Sequence, residues 1–233
     1  MKRILSAVCL LGAMTVSAYA ADVATLNGRL ESAKTTIEEI MATPDKGIPQ
    51  EILSDATCVA VIPGLKKGAF IVGGEYGRGV VTCRTGHGWS APTFIGLTGG
   101  SLGFQIGGES TDLVLIAVNQ KGLQDLLKNK FKIGADASAA AGPVGRNAQA
   151  GTDWKLNAEL LTYSRSKGLF AGIDLSGAGI SQSNDDVHAF YKSDVSYEQV
   201  LKGNVPVPPT ARPFVSTVAK YFVAAKAEEK KKG

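Results

Sequence analysis

Gly99-Gly100-Ser101-Leu102-Gly103 has the G-x-S-x-G spacing of a hydrolase nucleophile, a serine held at a sharp strand-to-helix turn. The chain that follows, Phe104-Gln-Ile-Gly-Gly, continues as a strand rather than opening a helix. The acid and base that can be nominated downstream, Asp174 and His188, have no spacing that singles them out. A serine hydrolase using Ser101 is therefore the third of three functional readings. His87 and His188 stand alone, and Cys58 and Cys83 belong to no CxxC pair, so the compact four-ligand grouping of a structural zinc site is missing. Asn184-Asp185-Asp186 reads as a helix cap before it reads as a calcium ligand set. No phosphate-cradling or dinucleotide-binding glycine motif is present, and no cofactor is expected.

The basic residues carry more. Lys66 and Lys67 sit beside Gly64 and Gly68, Arg78 lies between Gly77 and Gly79, and Arg165 and Lys167 flank Ser166. Lys128, Lys130 and Lys132 bracket Phe131, and Arg146 follows Gly-Pro-Val-Gly. Glycine neighbours suggest turns that present these cations to a surface. Arginine grips a phosphate bidentately and lysine acts on it as a point charge. The plain alternative is that turns are exposed and collect lysine.

These side chains must be positioned by the elements around them. Val23, Leu26, Leu30, Ala33, Ile37 and Ile40 recur at spacings of three and four, predicting an amphipathic helix capped by Asp22 and ended at Thr43-Pro44. This helix either packs on the sheet or lends an apolar face to a membrane. A short helix is expected over residues 50–55. Apolar segments of four to eight residues, rich in Val, Ile and Phe, predict strands at 58–62, 69–74, 79–84, 92–97, 102–107 and 112–118. A helix over 122–128, a strand over 130–134, a hairpin of strands 155–165 and 169–176, and helices over 185–191 and 197–202 follow; residues 135–152 yield no assignment. Pro206, Pro208, Pro209 and Pro213 predict an extended linker, with a helical stripe beyond it ending in a basic tail. Short connections favour antiparallel pairing and glycines within strands favour curvature. The expected fold class is α+β: a strongly curved antiparallel or barrel-like sheet with an N-terminal amphipathic helix and C-terminal helices. Gly99, Gly103 and Gly107 suit a curved strand, since their polar neighbours exclude a membrane helix.

Several blocks in order extend this reading: Cys58-Val-Ala-Val-Ile-Pro63, Lys67-Gly68-Ala-Phe70-Ile-Val-Gly-Gly74, Tyr76-Gly-Arg-Gly79, Gly88-Trp89-Ser90-Ala-Pro92, Gly99-Gly-Ser101-Leu-Gly-Phe-Gln105-Ile-Gly107, Asp112-Leu-Val-Leu, Ala141-Gly-Pro-Val-Gly-Arg146 and Tyr163-Ser-Arg165-Ser-Lys-Gly-Leu-Phe-Ala-Gly172. Over residues 24–203 the chain resembles the SYLF domain family, the lipid-binding domain of yeast actin-patch proteins. The resemblance implies a non-enzymatic protein that binds anionic phospholipid membranes, with phosphoinositide-like headgroups in eukaryotic members. The nine cations above are the candidate lipid-binding residues. A protein-interaction module, with an envelope or host protein as partner, is the second reading.

Residues 1–20 read as a signal peptide: Lys2 and Arg3, an apolar run over 4–16, then Ala18-Tyr19-Ala20. The expected protein is exported, periplasmic or secreted and peripherally bound to membrane, with a domain over 21–203 and a linker, helix and basic tail over 204–233. An oxidising destination favours a Cys58–Cys83 disulfide over two buried thiols. The net charge of +4 is too small to argue for a nucleic-acid partner.

Overall fold

In the computed structural model of the chain, the described residues are 22–42, 47–69, 72–102, 107–145, 158–166, 169–173 and 175–232. The apolar stripe of the N-terminal segment forms helix α1, Val23–Met41, started by the Asp22 side chain, which accepts from the Thr25 N–H at 2.7 Å. Leu26, Leu30, Ala33, Ile37 and Ile40 are all buried, so this stripe packs inward. Helix α2, Gln50–Asp55, follows, and then the sheet.

The central strands are β1 (Cys58–Ala69), β2 (Val72–Thr85), β4 (Thr93–Leu102) and β5 (Gly107–Ala117), with the short β3 (Gly88–Trp89) paired to β2. Helix α3 (Gln120–Leu127) leads to β6 (Lys130–Lys132), β7 (Ala139–Ala141), β8 (Leu160–Ser166), β9 (Leu169–Gly172) and β10 (Gly179–Gln182). The order across the sheet is β6-β10-β4-β2-β1-β5-β8-β7, with β9 also on β8. The result is the expected strongly curled sheet, a half-barrel in an α+β domain. It is mixed, because β7 pairs β8 in parallel while the other strand pairs are antiparallel. The two terminal strands, β6 and β7, are consecutive in the chain and linked by a tight turn bridging Ile133 to Ala137.

Helices α4 (Asn184–Tyr191), α5 (Tyr197–Leu201) and α6 (Arg212–Lys232) complete the domain. The expected extended linker gives way to a 3-10 turn at Pro209–Ala211, because Ala211 and Phe214 must turn into the core. Phe222 of α6 meets Trp89 edge-on at 5.4 Å, and α6 packs against α1 and α2. Residues Cys58 to Ile62 of β1 are fully buried on both faces of the sheet.

Cys58 and Cys83 lie opposite each other on β1 and β2, with Cα atoms 4.0 Å apart and sulfurs joined at 2.03 Å. Cys83 directs its N–H to the Ser90 hydroxyl and accepts from the Ser90 N–H, both away from β1. The two cysteines therefore form a non-hydrogen-bonded pair, the closer of the two kinds in an antiparallel ladder.

A polar clamp ties α3 to the β7–β8 unit. Glu159 is nearly buried, accepts from Lys121, and accepts from the Ser138 N–H at 2.7 Å. Burial opposes ionisation of this carboxyl, but the bonds from Lys121, Ser138 and Asp125 outweigh it and hold its pKa below the usual range. A depressed carboxylate contributes stability that is present above its unfolded pKa and lost as the pH falls through the folded value. In urea titrations between pH 7 and pH 3, Glu159→Gln should lose less stability on acidification than the parent protein; parallel pH profiles would remove this role.

Candidate cationic cleft

The residues that define the site come from α1, β1, β2 and α4. Pro63 and Gly64 interrupt the ladder: Val61 faces Val80, but Lys66 faces Tyr76, five steps along β1 against four along β2. Gly64 takes a positive φ of 59° to make this bulge, and its N–H is held by the Asp112 carboxylate at 2.9 Å. One extra residue reverses the alternation of faces. Lys66 is thereby brought to the face of its partner Tyr76 and of Arg78, two residues further along β2. Gly77, between them, is a matter of space: a Cβ there would lie 2.5 Å from Ile62 Cγ2 and 2.8 Å from Leu65 Cδ1.

Together with Arg29 and Ser32 of α1, these residues line an open cleft of about 280 Å³. Beneath it, the buried Asp186 of α4 accepts from Arg29 at 2.8 Å and from Arg78 at 3.2 Å. The side chains of Arg29 and Asp186 are 9% and 1% exposed, whereas that of Arg78 is 42% exposed. Arg78 Nε donates to the Tyr76 hydroxyl at 2.7 Å, which together with Asp186 raises its pKa and keeps the guanidinium charged. The Arg29 guanidinium also stacks over Phe94 at 5.5 Å.

The expected turn cations are thus strand cations. Lys66 and Lys67 lie within β1 and Arg78 within β2, because the neighbouring glycines serve close strand packing and a bulge rather than chain reversal. Lys66 is exposed and has no carboxylate partner among the described residues. Lys67 pairs with Glu75 opposite it at 3.6 Å. Arg165 bridges Glu39 of α1 and Asp112 of β5, fastening the helix to the sheet. Lys128 pairs with Asp125 at 2.5 Å. Lys130 and Lys132 point outward from β6, an edge strand, where lysine discourages further strand pairing. Arg146 and Lys167 lie outside the described residues. Among the described residues, the sequence candidates Lys66 and Arg78 meet in one cleft.

Arg29, Ser32, Tyr76 and Asp186 were not nominated from sequence. Asp186 is not a helix cap but a buried ion-pair partner; the N-cap position is Ser183. Its signal was an acid in register with Val187 and Phe190 on the buried face of a short helix. Ser101 pairs with Gly73 inside the β2–β4 ladder. A Cβ on Gly99 would meet the Glu75 carboxylate at 2.4 Å, so that glycine of the G-x-S-x-G run makes room for the Lys67–Glu75 pair.

A family model described as Ysc84, Las17-binding protein actin regulator, matches residues 98–221, more than half of the chain. The chain belongs to the Ysc84 family. The SH3 domain-containing YSC84-like protein 1 of Rattus norvegicus is 36% identical over 170 residues, which cover 72% of this chain and 50% of the relative. The human protein of that name is 35% identical over 170 residues, 72% of this chain and 49% of the relative. Protein YSC84 of Saccharomyces cerevisiae is 34% identical over 175 residues, 73% of this chain and 37% of the relative. The chain thus spans half or less of the length of these relatives. The comparisons correct the expectation of an exported, periplasmic or secreted protein: the family is described by regulation of actin, a cytosolic protein, and the rat and human relatives are named for an SH3 domain. Of the expected partners, the family description supports the coarser one, a protein partner. Residues 1–20, which suggested a signal peptide, lie outside the described residues. Among the described residues no helix is long and apolar enough to cross a membrane.

Proposed function

We propose that this Ysc84-family chain is a non-enzymatic module that binds anionic phospholipid surfaces through exposed cations. The observation that carries this reading is the convergence of Lys66 and Arg78, from two strands, on an open cleft where lysine has no carboxylate partner among the described residues. Lys130 and Lys132 add exposed charge elsewhere on the sheet. Lys67, Arg165 and Lys128 contribute less, since each is engaged by a carboxylate and lies outside the cleft lining, whereas Arg78, though paired with Asp186, lines the cleft beside Lys66. Each basic residue near an anionic surface contributes only about 1 kcal/mol, and salt weakens it. Binding through this surface is therefore peripheral and salt-sensitive.

The test is flotation with phosphatidylcholine vesicles carrying phosphatidylserine, compared with phosphatidylcholine alone. The protein should float with the anionic vesicles and be released as salt rises. Charge reversal of Lys66 and Arg78 to Glu should abolish most of the binding at low salt while leaving the circular dichroism spectrum intact. No flotation of the parent protein with anionic vesicles ends the lipid reading. The family description, Las17-binding protein actin regulator, favours a second reading in which the domain meets a protein partner. Retention of the protein by a purified partner of that class in the absence of lipid would support it.

A further inference from the structure

We infer that the cleft between α1 and the β1–β2 ladder is a discrete site for a dianionic phosphate monoester, carried either on a lipid headgroup or on a soluble ester. The inference rests on the anionic-ligand reading above and narrows it to one place and one charge class. The first argument is charge. Arg29, Lys66 and Arg78 line the cleft, and among the described residues Asp186 is the carboxylate bound there, to Arg29 and Arg78, so three cations face one anion and two positive charges are left without a described carboxylate. A monoester brings two negative charges at neutral pH; the phosphodiester of an ordinary anionic lipid brings one.

The second argument is geometry. Arg29 is consumed by Asp186 and Phe94, and acts by fixing the floor. Arg78 is oriented by two bonds, Nε to Tyr76 and Nη1 to Asp186, which leaves Nη2 without a partner among the described residues. A guanidinium held on two sides loses little freedom when the third meets a phosphate. Lys66 supplies an ammonium from the neighbouring strand, and Ser32 a hydroxyl from the helix above. The volume of about 280 Å³ holds a phosphate and the first atoms of its ester, at the small end of ligand pockets. A second cleft among the described residues, about 510 Å³, is lined by Asn129, Gln182, Asn184, His188, Asp194 and Glu198 among others; its lining has two carboxylates and no lysine or arginine, the wrong sign for this ligand.

The experiment has a soluble and a membrane arm, both at pH 8. Inorganic phosphate is titrated into the protein by calorimetry. Vesicles of phosphatidylcholine with phosphatidate are compared with vesicles carrying phosphatidylglycerol at matched total charge. Parent protein should bind phosphate and prefer phosphatidate by roughly tenfold. Lys66→Gln and Arg78→Gln should each remove the phosphate signal and the preference, whereas Lys202→Gln, at the end of α5 and outside the cleft lining, should alter neither. Thermal melts check that the variants are folded, and Lys66→Gln, which breaks no ion pair with a described residue, keeps the test valid if Arg78→Gln is not. Equal binding to both anionic vesicles without a phosphate signal overturns the cleft site and leaves the general surface reading standing. A phosphate signal lost in Lys66→Gln, with no vesicle binding, keeps the site as one for soluble monoesters and ends the lipid reading. Neither signal ends both.

Discussion

Asp186→Ala should destabilise the protein by about 3–5 kcal/mol, because it strands a buried guanidinium. Arg29 is 9% exposed and sits between Asp186 and the Phe94 ring, so once the carboxylate is gone water reaches it poorly. Arg78 is spared, since it can turn to solvent. Urea unfolding followed by circular dichroism measures the loss. In a domain of this size it lowers the melting temperature by roughly 10 °C. The double change Arg29→Met with Asp186→Leu should recover most of the loss, since removing both charges removes the burial penalty as well. A single-variant loss below about 1 kcal/mol would show that the pair behaves as a surface ion pair and that the cleft floor is not rigid.

Cys58→Ala should cost about 3.5 kcal/mol if the bond to Cys83 is closed, as a 25-residue separation sets the chain entropy that the cross-link removes from the unfolded state. The ground for expecting closure is no longer an oxidising destination but the juxtaposition itself, two buried sulfurs facing each other in a non-hydrogen-bonded pair. Mass spectrometry after alkylation in denaturant, without reductant, reads the bond directly. Two alkylated thiols at these positions in freshly purified protein would rule it out. The melting temperature of Cys58→Ala would then match that of the reduced parent.

The regular periodic elements were legible from sequence. The apolar stripe predicted α1 and its Asp22 cap, and Val- and Ile-rich runs located the sheet, but the six short strands expected over 58–118 are four long ones: the expected strand 69–74 covers the end of β1 and the start of β2, and 102–107 the end of β4 and the start of β5. Strands β7 and β10 were not legible: Ala139–Ala141 and Gly179–Gln182 carry neither alternation nor β-branched density, and they are strands because β8 and β4 offer them open edges. The cations were read in the right places along the chain but in the wrong conformation. Glycine beside a charge suggested a turn at Arg78, whereas Gly77 and Gly79 are there because β2 passes too close to Ile62 and Val61 for a side chain. That distinction depends on a neighbour remote in sequence, and so does the Arg29–Asp186 pair, whose partners are 157 residues apart.

The packing of α1 bears on how this domain can use its most amphipathic segment. Leu26, Leu30, Ile37 and Ile40 are 0–3% exposed. Burying each such side chain is worth about 1.5–3 kcal/mol, so freeing all four costs roughly 6–12 kcal/mol. At equilibrium the helix is then detached in a fraction on the order of 10⁻⁴ of molecules or fewer. A bilayer that drew the stripe into its own interior would first have to repay that amount. The proposed contact through the cleft would leave the helix seated and demand none of it, so it needs only the folded surface and no released helix.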